Sequence, residues 1–205
     1  MGIPLGKSVF HVKTVDFSGY IVATDGVTIN EKKVETIKAR KPPTSVREVQ
    51  IFMGFANVDR RFIKNFSDIC TPITNWTKGD KTTIFWGKNQ QEAFEYLKRC
   101  FTMALILCHF HPDCDTVVET NASDYALGFI LSQLQEKRLH SVAFHSGKLN
   151  SAEPNYDIHH KELLAILVAF FEWKYYLQRK EKPITVYTDH QNLLYLLTTK
   201  VWTAR

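Results

Sequence analysis

Apolar positions change their spacing along the chain, and the spacing predicts the elements. Residues 8–25 read as extended. Val9, Phe10, Val12, Val15 and Phe17, then Tyr20-Ile21-Val22, predict short strands with a turn at Asp25-Gly26. Residues 30–40 predict a short amphipathic helix with Val34 and Ile37 on one face, ended by Pro42-Pro43. Ser45-Val46-Arg47-Glu48 has the form of a capping box, so a helix starts there with Val46, Val49, Phe52 and Met53 inward. Gly54 is expected to bend or end it, and a second helix to run to Phe62–Ile63. Residues 66–78 predict a third helix. Residues 90–103 predict a fourth, with Ala93, Phe94, Leu97, Cys100 and Phe101 on its apolar stripe.

The pattern changes near residue 113. Residues 115–121 alternate as a strand, and 125–134 and 138–146 predict two more. A long helix follows over 155–177, with Leu163, Ile166, Leu167, Phe170, Trp173 and Leu177 expected on its buried side. A fourth strand covers 183–188 and another helix 191–199. Three strands, a helix, a strand and a helix make an α/β unit with a mixed sheet. The whole chain is expected to be α+β, a helical half followed by that sheet.

The chain has 205 residues, 44% hydrophobic and 13% aromatic, enough for one large or two small domains. Net charge is +5, which permits a polyanionic partner without requiring one. Arg60, Arg61 and Lys64, with Arg47, Lys78 and Lys81 nearby, are the candidate phosphate contacts. Cys70, Cys100, Cys108 and Cys114 form no CxxC pair, and no apolar run approaches a membrane span. The expectation is a reduced, intracellular protein, cytoplasmic or nuclear, away from membranes. Cys108-His109-Phe110-His111-Pro112-Asp113-Cys114 has the residue types of a zinc site, but its spacing matches no common finger.

Two-metal phosphoryl transfer needs hard oxygen ligands gathered from different elements. Asn121 closes the first strand of the sheet, Glu162 stands early on the long helix, and Asp189 closes the fourth strand. Three local sequences surround these positions: Val118-Glu119-Thr120-Asn121-Ala122-Ser123-Asp124-Tyr125-Ala126-Leu127-Gly128; Asn155-Tyr156-Asp157-Ile158-His159-His160-Lys161-Glu162-Leu163; and Val186-Tyr187-Thr188-Asp189-His190-Gln191-Asn192-Leu193. In that order they resemble the three motifs of the ribonuclease H domain of gypsy-type LTR retrotransposons. Upstream, Phe17-Ser18-Gly19-Tyr20-Ile21-Val22 resembles the end of a reverse-transcriptase palm, and residues 45–63 its thumb. Phe85-Trp86 and Gln91-Glu92-Ala93-Phe94 resemble the link between the two.

The resemblance implies a Pol fragment: residues 1–80 as palm end and helical thumb, 81–112 as connection, and 113–205 as a ribonuclease H-like domain. It implies magnesium-dependent hydrolysis of RNA in RNA:DNA hybrids, with Glu162 and Asp189 as metal ligands and catalytic groups. Asn121 then stands at the degenerate position where the family places a bridging aspartate. An amide keeps an oxygen but not the charge that holds two divalent ions together. Val58-Asp59, His160 and Gly147 also depart from the family's usual residues. The fold implied has a further strand and a final helix beyond residue 205, so a truncated domain is expected, with a homo-oligomer to cover its edge. The expected function is nucleic-acid binding with hydrolysis lost. The alternatives are a protein-interaction module or transposon relic, and a weakly active nuclease.

Overall fold

The computed structural model describes residues 11–77, 86–104, 106–178 and 180–188. Asp189, Asn192, Lys78, Lys81, Phe85 and the helix expected over 191–199 lie outside the described residues.

The extended N-terminal part forms an antiparallel ribbon of β1 (Thr14–Phe17), β2 (Tyr20–Ala23) and β3 (Gly26–Ile29). The sequence predicts a turn at Asp25-Gly26; Gly26 instead opens the third strand, and the β2–β3 turn is Thr24-Asp25. Gly26 is needed for a close approach. Its φ is +154°, and a Cβ there would run into the backbone oxygen of Leu107. Val27 and Leu107 exchange both backbone hydrogen bonds, at 2.8 and 2.9 Å.

Helix α1 (Glu31–Lys38) is capped by the Asn30 side chain and buries Ile37. Helix α2 (Val46–Val58) starts at Ser45, whose hydroxyl accepts from the Glu48 N–H at 3.2 Å. The Glu48 carboxylate caps Thr44, taking both its N–H and its hydroxyl, and these bonds hold the carboxyl below its usual range. Gly54 does not end this helix, and a Cβ there would meet nothing within 4 Å. The helix runs on to Val58, and only a 3-10 turn, Arg60–Phe62, follows. Helices α3 (Phe66–Thr74) and α4 (Lys88–Thr102) pack on it. Phe52, Phe94, Leu97 and Phe101 form the centre of this first core.

The second half is a four-stranded sheet in the order β6-β5-β4-β7. Its strands are β4 (Thr116–Ala122), β5 (Ala126–Gln135), β6 (Arg138–Lys148) and β7 (Ile184–Tyr187). The first three are antiparallel, and β7 runs parallel to β4, as a mixed sheet requires. Helix α5 (Ile158–Glu172) crosses one face, and a short α6 (Lys174–Leu177) follows a break at Trp173. Of the predicted stripe Trp173 and Leu177 are buried and Leu163, Ile166 and Phe170 half-buried, but the innermost positions of α5 are others. Glu162, Ala165 and Ala169 are inward, and Leu167 is exposed. Small alanines let the helix lie close to the sheet, and that rotates the larger Leu167 outward.

The opposite sheet face is also covered. Phe144 of β6 and Ile130 of β5 belong to the first core, so the helical half roofs the sheet. β5 is accordingly buried on both faces along most of its length. The seam between the halves also carries polar contacts: Ser67 N–H donates to Ser146 Oγ at 2.8 Å, and Ser67 Oγ to Ser146 O at 3.1 Å. No helix among the described residues is long and apolar enough to cross a membrane.

Candidate nucleic-acid interface

Alternation along β4 decides what the candidate residues can do. Thr116, Val118, Thr120 and Ala122 are buried, the last two at the end where α5 begins. Glu119 and Asn121 point to the other face. There they line a cleft of about 310 Å³ with Thr120, Gly128, Ile130, Tyr187 and Thr188 of the sheet, and with Lys64 and Asn65 of the helical half. Asn121 is exposed within it. Its cross-strand partner is Gly128, and a Cβ at Gly128 would stand 2.6 Å from Asn65 Oδ1. Asn65 holds a left-handed backbone, φ +55°, which turns the chain from the 3-10 segment into α3 directly over this pair.

Glu162 takes a different position. It is 1% exposed on α5, under the sheet. One carboxylate oxygen accepts the Ala122 N–H at 2.9 Å, and the other the Thr188 hydroxyl at 3.0 Å. The carboxylate thus lies one residue along from Asn121 but is held by protein donors. Glu119 starts about 6–7 Å from Asn121 along the strand. Among described residues the donor set offers an amide, a displaced carboxylate and an enclosed one. Asp189 lies outside that set, and within it no carboxylate stands at the position of Asn121, where two magnesium ions would share a bridging anion.

The turn after β4 is held by the Ser123 side chain. Ser123 Oγ accepts from Tyr125 N–H and Ala126 N–H, at 3.2 and 2.9 Å, and donates to Asp68 of α3 at 2.9 Å. Asp124 pairs with Lys161 at 2.9 Å, which allows that lysine to be 5% exposed.

The three candidate phosphate contacts separate. Lys64 is exposed on the cleft rim. Arg61 is exposed, its guanidinium 5.3 Å from the Tyr20 ring centre and 5.0 Å from that of Phe62. Arg60 turns into the seam. It donates to Ser146 O and stands 3.3 Å from His145 Nε2. Burial lowers the pKa of this guanidinium, with Glu172 opposing the shift. Arg60 Nη2 is thus engaged with β6, and Arg60 does not line the cleft.

Asp59, which departs from the family pattern, is fully buried and engaged: Lys33 Nζ is 2.7 Å away and the Tyr20 hydroxyl 2.6 Å. Burial, then the Asp59 contact, pushes the Tyr20 hydroxyl up to about 12. A Cβ added at Gly147 would meet nothing within 4 Å. Cys108 Sγ faces His140 O, and the His109 ring contacts Ala23 O at 2.7 Å, so these two side chains point into separate parts of the fold. Burial pushes the Cys108 thiol up, away from the thiolate that zinc would need. Tyr187 and Asn65 are cleft residues that the sequence reading missed. Asn65 carries no signal in its local sequence, and Tyr187, part of the third motif, is put beside Glu119 by the strand register.

Residues 86–186 match the family model described as the RNase H-like domain found in reverse transcriptase. The Tf2-3 and Tf2-4 transposon polyproteins of Schizosaccharomyces pombe are each 33% identical over 193 residues, 94% of this chain. The chain spans 14% of the length of those relatives. A foamy viral protease-reverse transcriptase in complex with dsDNA is similar in structure, with a TM-score of 0.77 at 21% identity over 96% of this chain and 40% of that one. The corresponding complex with an RNA/DNA hybrid gives 0.72 at 21% identity, over 93% and 26%. At that identity the likeness carries the fold alone.

Proposed function

Since residues 86–186 are an RNase H-like domain of the retroelement reverse-transcriptase kind, we propose that this chain binds RNA:DNA hybrid or related duplex and does not cut it. One observation carries the reading. Asn121, at the position of the family's aspartate, is neutral where it opens onto the cleft, Glu119 lies further along β4, and the nearest carboxylate on the helix side, Glu162, is enclosed by Ala122 and Thr188. Binding draws on Lys64 at the cleft rim, on exposed Arg61 beside the aromatic pair, and on a net charge of +5. The duplex partners of the structurally similar foamy viral enzymes favour the same class of ligand. Magnesium is the cofactor of the family's reaction, and Asp189 would be a further oxygen ligand. With a neutral Asn121 at the bridging position the ion pair would lack its shared anion, and no hydrolytic step is assigned.

Fluorescence anisotropy with a labelled hybrid, over a range of salt, tests the binding. The expected result is affinity that falls steeply with salt, through counterion release. The same samples with magnesium should keep their RNA strand intact. Cleavage by the wild-type chain, or binding no stronger than that of an unrelated basic protein, overturns the reading.

A further inference from the structure

Two imidazoles and a carboxylate meet where α5 begins. Asp157 is the N-cap residue, yet its carboxylate makes no hydrogen bond to the helix N–H groups. Asp157 Oδ2 lies 3.9 Å from His160 Nδ1. The His159 and His160 rings are 4.2 Å apart between centres. One donor atom from each of the three residues lies within 4.8 Å of the other two, and all three residues are exposed. Among the described residues this is the one such group of His, Cys, Asp or Glu.

We propose that Asp157, His159 and His160 form a surface site for a borderline divalent ion, with zinc as the representative. The donor types set the class of ion. Two imidazoles with one carboxylate suit zinc and its neighbours in the first transition row, whereas magnesium prefers an all-oxygen shell. Tetrahedral zinc with bonds of about 2.0–2.1 Å needs its ligand atoms about 3.3 Å apart. Side-chain rotation closes the remaining gap, because these groups stand in solvent. Three protein ligands leave a fourth position to water.

Charge assigns each residue a part. The start of a helix carries partial positive charge and resists a cation. Asp157 offsets that resistance, and the imidazoles supply the soft donors. His160, which departs from the family's usual residue, thereby gains a function. The site is separate from the cleft, since Glu162 is buried against Ala122 and Thr188 two residues on. It also does not depend on nucleic-acid binding. An ion there ties the residues before α5 to its first turn.

The test is calorimetric titration of the whole chain with zinc at constant magnesium. One equivalent should bind, and His159→Ala, His160→Ala and Asp157→Asn should each weaken it by about tenfold or more. Glu162→Gln should leave it unchanged. Cobalt in place of zinc should give d–d bands without a thiolate charge-transfer band, which separates this site from the four cysteines. Zinc should also raise the thermal midpoint of the wild type but not of the His159→Ala/His160→Ala double variant. Failure of the wild type to take up zinc, uptake that survives the double variant, or a thiolate band overturns the proposal. Hybrid binding is measured independently, so its loss or retention bears only on the function proposed above.

Discussion

The carboxylate of Glu162 accepts the backbone N–H of Ala122 at 2.9 Å, one residue beyond Asn121. An acid expected at a metal centre thereby serves as a cap for the end of β4. Glu162→Ala should leave that buried N–H without a partner and lower stability by about 2 kcal/mol in chemical denaturation. Glu162→Gln keeps an oxygen for Ala122 and should cost less than half as much. Equal losses would mean that charge, not hydrogen bonding, is what Glu162 contributes.

Asn121→Asp places a carboxylate in the cleft and should strengthen magnesium binding, read by titration. It should not by itself produce cleavage of the hybrid, because the Glu162 carboxylate remains engaged with Ala122 and Thr188. Efficient cutting by the single variant would show that Glu162 leaves those donors readily.

Arg60 and Lys64 should separate in a binding assay. Lys64→Ala should weaken hybrid binding and reduce the salt slope by about one. Arg60→Ala should leave the slope unchanged but lower stability by about 2 kcal/mol, since Ser146 O loses a charged donor. A changed slope for Arg60→Ala would return that residue to the interface.

His145 gives the seam a pH dependence. Burial and the neighbouring Arg60 lower its pKa from 6.5, and Glu172 opposes them. The unfolded chain therefore binds the proton more readily than the folded one. Stability should be full above the unfolded value and fall as pH drops below about 6.5, until the folded imidazole also protonates. Denaturation midpoints measured from pH 7.5 to 5 should show the decline, and His145→Gln should flatten it.

Asp59→Asn should cost about 3 kcal/mol, because Lys33, 14% exposed at its side chain, would lose its counter-charge. A neutral effect in urea denaturation would mean that Lys33 reaches solvent when Asp59 is uncharged.

Strand alternation from residue 116 and the helical spacing of Phe94, Leu97 and Phe101 made both halves readable, because those patterns are set by local geometry. The stripe of α5 was legible only in part, because large side chains dominate a periodicity count, whereas Ala165 and Ala169 make the close contact with the sheet. Arg60 and Ser146 lie far apart in sequence, and no local pattern reports that they pair. The cleft has the same character. Glu119 and Asn121 follow from one strand's alternation, but Lys64 and Asn65 arrive by the packing of a separate segment. Gly54 shows the converse: a residue with a strong local preference against the helix interior sits within a continuous helix.

The paired hydrogen bonds of Val27 and Leu107 have a mechanical meaning. They join the ribbon to the linker that enters the sheet, closing a ring through all the helices between. A ring offers no loose end from which to fray. The helical half and the entrance to the sheet must then come apart together, and a calorimetric scan should record them as a single event.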